Sequence, residues 1–357
     1  MILEKNKSVS LGRIAWKKFR KDSVAIGSLS FILLLSIVAL LGYLITPDST
    51  KDADRQHLEL STVPPGSVVK FVRFSGSDTL ELSSWWQRWL NGDRQQARLI
   101  PVTEIDDTEA LRITNYRYRT VEPLLLPASY TVERIRFWLG TDRFGRDVLS
   151  RLIIGARVSL MVGIIAVSIS LVIGILLGAL AGYYRGRTDQ LISWIINVVW
   201  SIPTLLLVIA ISLMMGKGLI AVFVAVGLTM WVDVARIVRG QFLSFREKEF
   251  VEAGKALGFL DSRIIFRHIL PNITGPVLVI AASNFASALL VESGLSFLGY
   301  GVQPPVPTWG NMIETNRNFL ITDKYYLAVI PGIAIMLLVL AFTLVGDGLR
   351  RALDSNP

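Results

Sequence analysis

Long stretches without Lys, Arg, Asp or Glu alternate along this chain with short charged ones, and the alternation predicts membrane-spanning helices. Ser23 to Pro47 is the first such run. At about 25 residues it is long enough as a helix to cross a ~30 Å hydrocarbon core. Val158 to Tyr184 and Gln190 to Gly216 are two more, separated by the short basic turn Arg185, Gly186, Arg187, Thr188, Asp189. Gly218 to Val232 is a shorter run of about fifteen residues, or ~22 Å of helix, so Asp233 and Arg236 are expected at its end, snorkelling toward water. Ile269 to Val291 and Tyr325 to Gly346 complete a set of six. Pro203 and Pro276 predict kinks in the third and fifth spans.

Three segments break the apolar pattern. Asp48 to Leu139 mixes charges of both signs, and VVKFVRF (68–74) and LRITNYRYR (111–119) alternate in the strand manner around a Pro64, Pro65, Gly66 turn. It predicts a small β-rich insertion between the first two spans. Its SSWWQRWL stretch carries Trp85, Trp86 and Trp89, which suit either a membrane interface or the insertion's own core. Next, LGTDRFGRDVLSRLIIGARVSL (139–160) sets Val148, Leu149, Leu152 and Ile153 opposite Arg146, Asp147 and Arg151, with Thr141 or Asp142 as a helix cap. That is the pattern of an interfacial helix leading into a span. Finally, Gly299, Gly301, Pro304, Pro305 and Pro307 rule out a continuous helix over Glu292 to Ile313.

Composition narrows the chemistry. Of 357 residues 52% are hydrophobic, mean hydropathy is +0.51 and the formal net charge is +9. The cations flank spans rather than forming a patch with interleaved aromatics, so lipid headgroups fit them and nucleic acid does not. Met1 to Asp22 holds seven Lys or Arg against two acids, which places the N-terminus in the cytosol ahead of a retained first helix. Six spans return Arg350 and Arg351 to the same side. Without cysteine there are no disulfides and no thiolate metal sites. His57 and His268 are the only histidines; the first reads as a solvated surface residue, the second as a helix-boundary residue. No catalytic constellation and no P-loop is found, so an enzyme is not expected. The spans carry no midplane charge of the kind a coupling ion needs, which argues against a carrier or channel working alone. Asn197 and Asn284 suit either a solute or helix packing.

One charged segment between spans has a specific layout. EAGKALGFLDSRIIFRHILP (252–271) places Glu252, Ala253, Gly254, Ala256 and Leu257 on a short helix with small faces, then Gly258 at a sharp turn. A second arm follows, with Leu260, Ile264 and Ile265 on one side and Arg263 and Arg267 on another, ending at His268 and Pro271. This spacing resembles the EAA loop of ABC-importer permeases, with Gly254 where Ala is usual. The segment Leu139 to Leu160, with Asp142, Gly145, Arg146 and Asp147, resembles the signature of the C-type permease of the dipeptide, oligopeptide and nickel subfamily, as does Glu292 to Ile313. The likeness covers roughly residues 10–46 and 139–350.

The resemblance implies an all-α polytopic protein of the type I importer (MetI-like) permease fold: six transmembrane helices with the β-rich insertion outside the membrane. It implies four regions: 1–47, the cytosolic tail and first helix; 48–139, the extracytoplasmic insertion; 140–350, the permease core with its coupling loop at 233–271; and 351–357, a cytosolic tail. It implies a bacterial cytoplasmic membrane, a homologous second permease as heterodimer partner, two ABC ATPase subunits that bind the ATP, and an extracytoplasmic binding protein. In that reading Glu252 to Gly258 docks the ATPase, His268 and Pro271 form the loop end and hinge, and the signature puts Arg143, Arg146, Arg151 and Arg157 on the outer side. Peptides are the implied cargo, with nickel- or glutathione-type substrates as the alternative. No cofactor is implied for the chain itself. A stand-alone carrier or a membrane scaffold stays as the rival.

Overall fold

The expected spans become helices, but several of their ends move. The computed structural model describes residues 11–74, 84–92, 99–106, 112–115, 121–123, 130–216 and 218–353. Asp22 caps the first span: its Oδ1 accepts from the backbone N–H of Val24 and Ala25, both at 3.1 Å. Before it lies the short helix α1 (Leu11–Phe19); the span itself is α2 (Ser23–Leu40), and after Leu41 one more turn follows, α3 (Gly42–Ile45).

The insertion holds β1 (Ser67–Phe74), α4 (Trp85–Asn91), β2 (Leu99–Asp106), β3 (Arg112–Asn115), β4 (Val121–Pro123) and β5 (Tyr130–Phe137). The strands form one antiparallel sheet in the order β4-β3-β2-β1-β5. Both strand-like stretches supply strands, although Leu111 and residues 116–119 of the second lie outside the described residues. Along β1, Val69 and Phe71 turn into a core with Leu60, Val63, Leu99 and Phe137; Val68 and Lys70 on the other face are exposed, although Val72 on that face is buried, and Arg73 is exposed at the strand's end. Burial of this kind is worth roughly 1.5–3 kcal/mol per side chain. Gly66, at φ +82°, makes the turn into β1.

The second span is α5 (Val148–Tyr184), ten residues longer at its start than the charge-free run. Its cap is Asp147, whose Oδ2 accepts the Ser150 N–H at 2.8 Å, and not Thr141 or Asp142. The amphipathic reading of its first turns is inverted as well. Arg146, Asp147 and Arg151 are buried, and Leu149, Leu152 and Ile153 are only half-buried, because Arg146 and Arg151 pair with Asp142 and Asp54 and Asp147 accepts from Ser150 inside the protein.

The third span is broken. α6 (Gly186–Trp200) and α7 (Thr204–Met215) meet at 90° around Ser201, Ile202 and Pro203. Proline lacks the N–H that would continue the helix and disfavours helical backbone at the residue before it. Among the described residues five helices are individually long and apolar enough to cross a membrane, and a sixth crossing exists if this bent pair counts as one.

The fourth span, α8 (Leu219–Phe245), runs 27 residues and carries Asp233 and Arg236 within it, on an exposed face, instead of stopping at them. After α9 (Glu249–Ala256) comes α10 (Asp261–Arg263), a π turn over Ile264–Ile269 and a 3-10 turn over Leu270–Ile273, leading into α11 (Thr274–Phe297). Pro276 sits in the first turn of α11, where no N–H is needed, so the irregularity expected there lies upstream of it. α11 also continues through Glu292, which is fully buried in it; a charged residue therefore does lie within a span, and the irregular stretch begins only after Phe297. α12 (Trp309–Asn316) and α13 (Tyr326–Leu353) follow.

The described residues divide into two compact units, one drawn from Met1–Leu34, Leu160–Leu295 and Ile335–Pro357 and the other from Leu35–Ser159 and Ser296–Ala334. In the first, α5 and α8 approach until their backbones nearly touch. A Cβ at Gly174 would stand 2.5 Å from Val234 Cβ, one at Gly178 2.6 Å from the Ala235 carbonyl, and one at Gly182 2.5 Å from Phe242 Cβ. Gly227 does the same from α8 toward Ile169 at 2.7 Å. Small residues four apart on one face allow such packing where apolar lipid gives helices no hydrophobic reason to associate. The second unit contains the sheet and the first turns of α5, where the Trp309 indole N–H donates to the Leu152 carbonyl at 2.9 Å.

Candidate functional site

α9 is short and its ends are well satisfied. Glu249 and Glu252 occupy its first turn and Lys255 its last, which suits the helix dipole at both ends. It stops in a Schellman motif: Phe259 N–H donates to the Gly254 carbonyl at 3.0 Å and Gly258 N–H to Lys255 at 2.9 Å. That geometry needs a left-handed residue, and Gly258 has φ +73°. Nothing lies within 4 Å of where its Cβ would be, so glycine is required there for its backbone freedom and not for space.

Glu252, Ala253, Lys255, Ala256, Leu257 and Gly258 are all exposed on the helix and its turn, charged and small residues ending at one exposed apolar side chain, Leu257. Gly254 is the exception. It faces inward, its Cβ position 3.4 Å from the Phe259 ring, which is the contact that usually accompanies a Schellman turn. The open small face expected from Ala253, Gly254 and Ala256 is therefore made by the two alanines. Of the second arm, Ile264, Ile265, Ile269 and Ile273 are buried with Val251, Val234, Val238 and Phe242. Leu260 does not join them; it precedes the helix and is 76% exposed. The arm is thus anchored in the helical core rather than lying free on a surface. His268 is half-buried and stacks on Phe259 with ring centroids 5.6 Å apart, and Pro271 is exposed at the junction of the π and 3-10 turns.

Polar contacts tie both sides of this turn to the ends of the long helices. Tyr183, at the end of α5, donates its hydroxyl to Asp261 at 2.6 Å and accepts at its carbonyl from the Arg246 guanidinium. Arg185 pairs with Glu247 at 2.6 Å, and Arg239 of α8 forks onto Asp189, one of its bonds being 2.8 Å. Asn284 is buried and donates to the Met230 carbonyl at 3.3 Å, a packing contact between α11 and α8, whereas Asn197 is exposed.

The signature residues belong to the other unit. Asp142 accepts the backbone N–H of Phe144 and Arg146, at 2.8 and 3.0 Å, and the Arg146 Nε at 2.7 Å. Arg146 reaches on to Asp54 at 2.9 Å. Ser150 donates to Asp147 and accepts the Asp48 N–H at 3.0 Å. Gly145, at φ +73°, passes so close to the main chain that a Cβ would lie 1.7 Å from the His57 carbonyl. Together they staple the segment 48–63 onto the start of α5. His57 is not the solvated residue expected: its ring packs on Phe71 at 5.0 Å, beside a cavity also lined by Asp48, Arg55, Phe137 and Asp147. Its Nε2 and the Asp147 Oδ1 are buried without a hydrogen-bond partner among the described residues. Burial, then Arg55, push the His57 pKa down, and burial pushes that of Asp147 up. Among the described residues no group of three or more His, Asp or Glu side chains is placed to hold a metal ion.

Residues 174–356 match the family described as the binding-protein-dependent transport system inner membrane component, and residues 10–65 match the N-terminal TM domain of oligopeptide transport permease C. Among curated proteins, the chain is 45% identical over 217 residues to the dipeptide transport system permease protein DppC of Alkalihalophilus pseudofirmus, covering 61% of this chain and 71% of that one. The glutathione transport system permease protein GsiD of Pectobacterium atrosepticum is 42% identical over 61% and 72%, and the oligopeptide transport system permease protein OppC of Bacillus subtilis 39% over 61% and 71%. Among solved structures, an inward-facing form of the MetNI methionine ABC transporter aligns at TM-score 0.50 and 19% identity, over 57% of this chain and 97% of that one. At that identity the likeness speaks to the fold alone.

Proposed function

The chain belongs to the family of binding-protein-dependent transport system inner membrane components, and from that premise we propose that it is a permease subunit of an ATP-driven importer carrying peptides across the cytoplasmic membrane. The names of the relatives support the cargo: di- and oligopeptides, with glutathione as a peptide-like neighbour. A homologous second permease completes the path, two ABC ATPases hydrolyse the ATP, and a binding protein delivers substrate from outside. The basic segment before α2, with Arg13, Lys17, Lys18, Arg20 and Lys21, and Arg350 and Arg351 at the end of α13 set both termini in the cytosol by the positive-inside rule. The insertion over 48–139 is then extracytoplasmic, and the core runs over 140–350.

The observation that carries this reading is the exposed α9 surface ending in a rigid left-handed turn, with bonds leading from it to α5 and α8. An ATPase groove takes Glu252 to Gly258. Its motion passes through the Schellman turn and the Tyr183–Asp261 bond into α5, and through Val251 and Ile264 into the core against α8. The glycine seam makes α5 and α8 move as one body, and the non-α stretch from Ile264 to Ile273, holding His268 and Pro271, is the hinge into α11. Asp142, Gly145, Arg146 and Asp147 do a different job, fixing the insertion to the permease core.

Exchanging the charge on the docking face tests it. Glu252→Lys is expected to leave the protein in the membrane at normal abundance while lowering co-purified ATPase and peptide uptake in proteoliposomes by at least about tenfold, equivalent to ~1.4 kcal/mol. Normal uptake with a normal complement of ATPase would overturn the assignment of this face.

A further inference from the structure

Three tryptophans of the insertion remain without a role in the transport mechanism. In α4, Trp85 and Trp86 stack with ring centroids 3.8 Å apart, and Trp89 meets Trp86 edge-on at 6.0 Å. Trp85 and Trp86 are 60% and 55% exposed, so they do not build the insertion's core, which is formed by Val69, Phe71, Phe137 and their neighbours. Two adjacent indoles left in water are costly for a protein to keep, since each buries 150–250 Å² when it finds an apolar surface.

The position of α4 says which surface that is. It packs on α3, which continues the first span after the single residue Leu41. Gly92, at its end, sits where a Cβ would be 2.9 Å from both the Tyr43 ring and the Ser49 carbonyl. Arg157 of α5 holds the other side: its guanidinium donates to the Trp89 carbonyl at 3.2 Å and lies 5.8 Å from the Trp89 ring and 5.5 Å from that of Tyr43. Leu40, Leu41, Leu44 and Ile45, at the end of the span, are exposed in the same unit. The apolar surface that the first span offers to lipid thus continues at the level where the span ends, and there it carries tryptophan. Indole, with an apolar body and one N–H, is the side chain that prefers the headgroup boundary.

We propose that α4 is an interfacial anchor: Trp85 and Trp86 insert into the headgroup region of the bilayer at the exit of the first span and hold the insertion against the membrane. The partner is a lipid surface. The anchor requires neither peptide transport nor a particular sidedness, so it stands or falls separately from the proposed function.

The test uses the full-length chain in nanodiscs, with lipids brominated high on the acyl chain or unbrominated. Tryptophan emission of the wild type is compared with that of the Trp85→Phe, Trp86→Phe double variant, which keeps aromatic packing and folding. The difference between the two reports the pair alone. The anchor predicts that this difference emission falls by half or more in brominated nanodiscs and is weakly quenched by aqueous acrylamide. Difference emission indifferent to bromine and strongly quenched by acrylamide would overturn it. So would emission protected from acrylamide only after a binding protein is added, since the face would then belong to a protein.

Discussion

Two glycines four residues apart do opposite work. Gly254 is helical and has room for a methyl group against Phe259, so Gly254→Ala should stabilise α9 by roughly 0.5–1 kcal/mol through the lost flexibility of glycine. Gly258 is left-handed, and Gly258→Ala should cost about 1–2 kcal/mol although nothing would touch the added carbon. Hydrogen exchange at the amides of Phe259 and Gly254 reads both effects, slower in the first variant and faster in the second; equal shifts would show that the turn is not held as a Schellman motif. The sequence made Gly258 legible as a turn because glycine after a short helix has few other uses. It did not reveal that Gly254 faces inward, since that depends on Phe259 folding back over it.

His57 belongs to the same scale. Its pKa is lowered by burial and by Arg55, with Glu59 and Asp48 pulling the other way and Asp147 lining the same cavity. A depressed histidine contributes stability that is complete above its ordinary pKa of about 6.5 and is lost as pH falls toward the depressed value. Asp147, raised by burial, has the opposite sign: its contribution is complete below the ordinary carboxylate range and is lost as pH rises through its raised value. Through His57, protease sensitivity of the insertion should rise as pH falls below about 6.5, against the opposing contribution of Asp147, and His57→Gln should flatten that rise. An unchanged profile in the variant would assign the acid sensitivity elsewhere. A lone histidine in a polar segment gives no sign that Phe71 will cover it, because Phe71 reaches it only once β1 is paired in the sheet.

At the scale of elements, the spans were legible as charge-free runs, while their ends were not. Charge does not mark where a helix stops: α8 runs on past the exposed Asp233 and Arg236, Arg151 of α5 is buried beside Asp54, and Glu292 is buried in α11. Pro203 marked the break between α6 and α7, and the 90° bend exceeds the kink that proline alone predicts. The seam between α5 and α8 was open to reading in GILLGALAG, glycine at every fourth position, yet the partner helix is set by packing. It carries a sharp contrast. Gly178→Val should cost about 2–3 kcal/mol in thermal unfolding, whereas Gly240→Ala, with nothing within 4 Å, should be neutral or slightly stabilising. Equal tolerance at the two sites would mean that α5 and α8 are not packed backbone to backbone.

For the whole molecule, the outline came from two short motifs, since each is a surface or a loop whose residues are adjacent in the chain. The bonds that make them mechanical join residues far apart: Tyr183 with Asp261, Arg146 with Asp54, Arg239 with Asp189. No local pattern announces those pairs. In the proposed function the Tyr183 and Arg239 pairs make the α9 segment a lever with a fixed end, whose free end an ATPase moves. The chain has no cysteine, so Leu257→Cys, on the exposed side of the turn, places its only thiol at the proposed contact. A short thiol-to-amine cross-linker applied to the assembled transporter should join this cysteine to a surface lysine of an ATPase subunit, with a yield that changes when ATP is bound. Free labelling of the same thiol by a water-soluble maleimide, equal with and without the ATPase and with no cross-linked product, would contradict it.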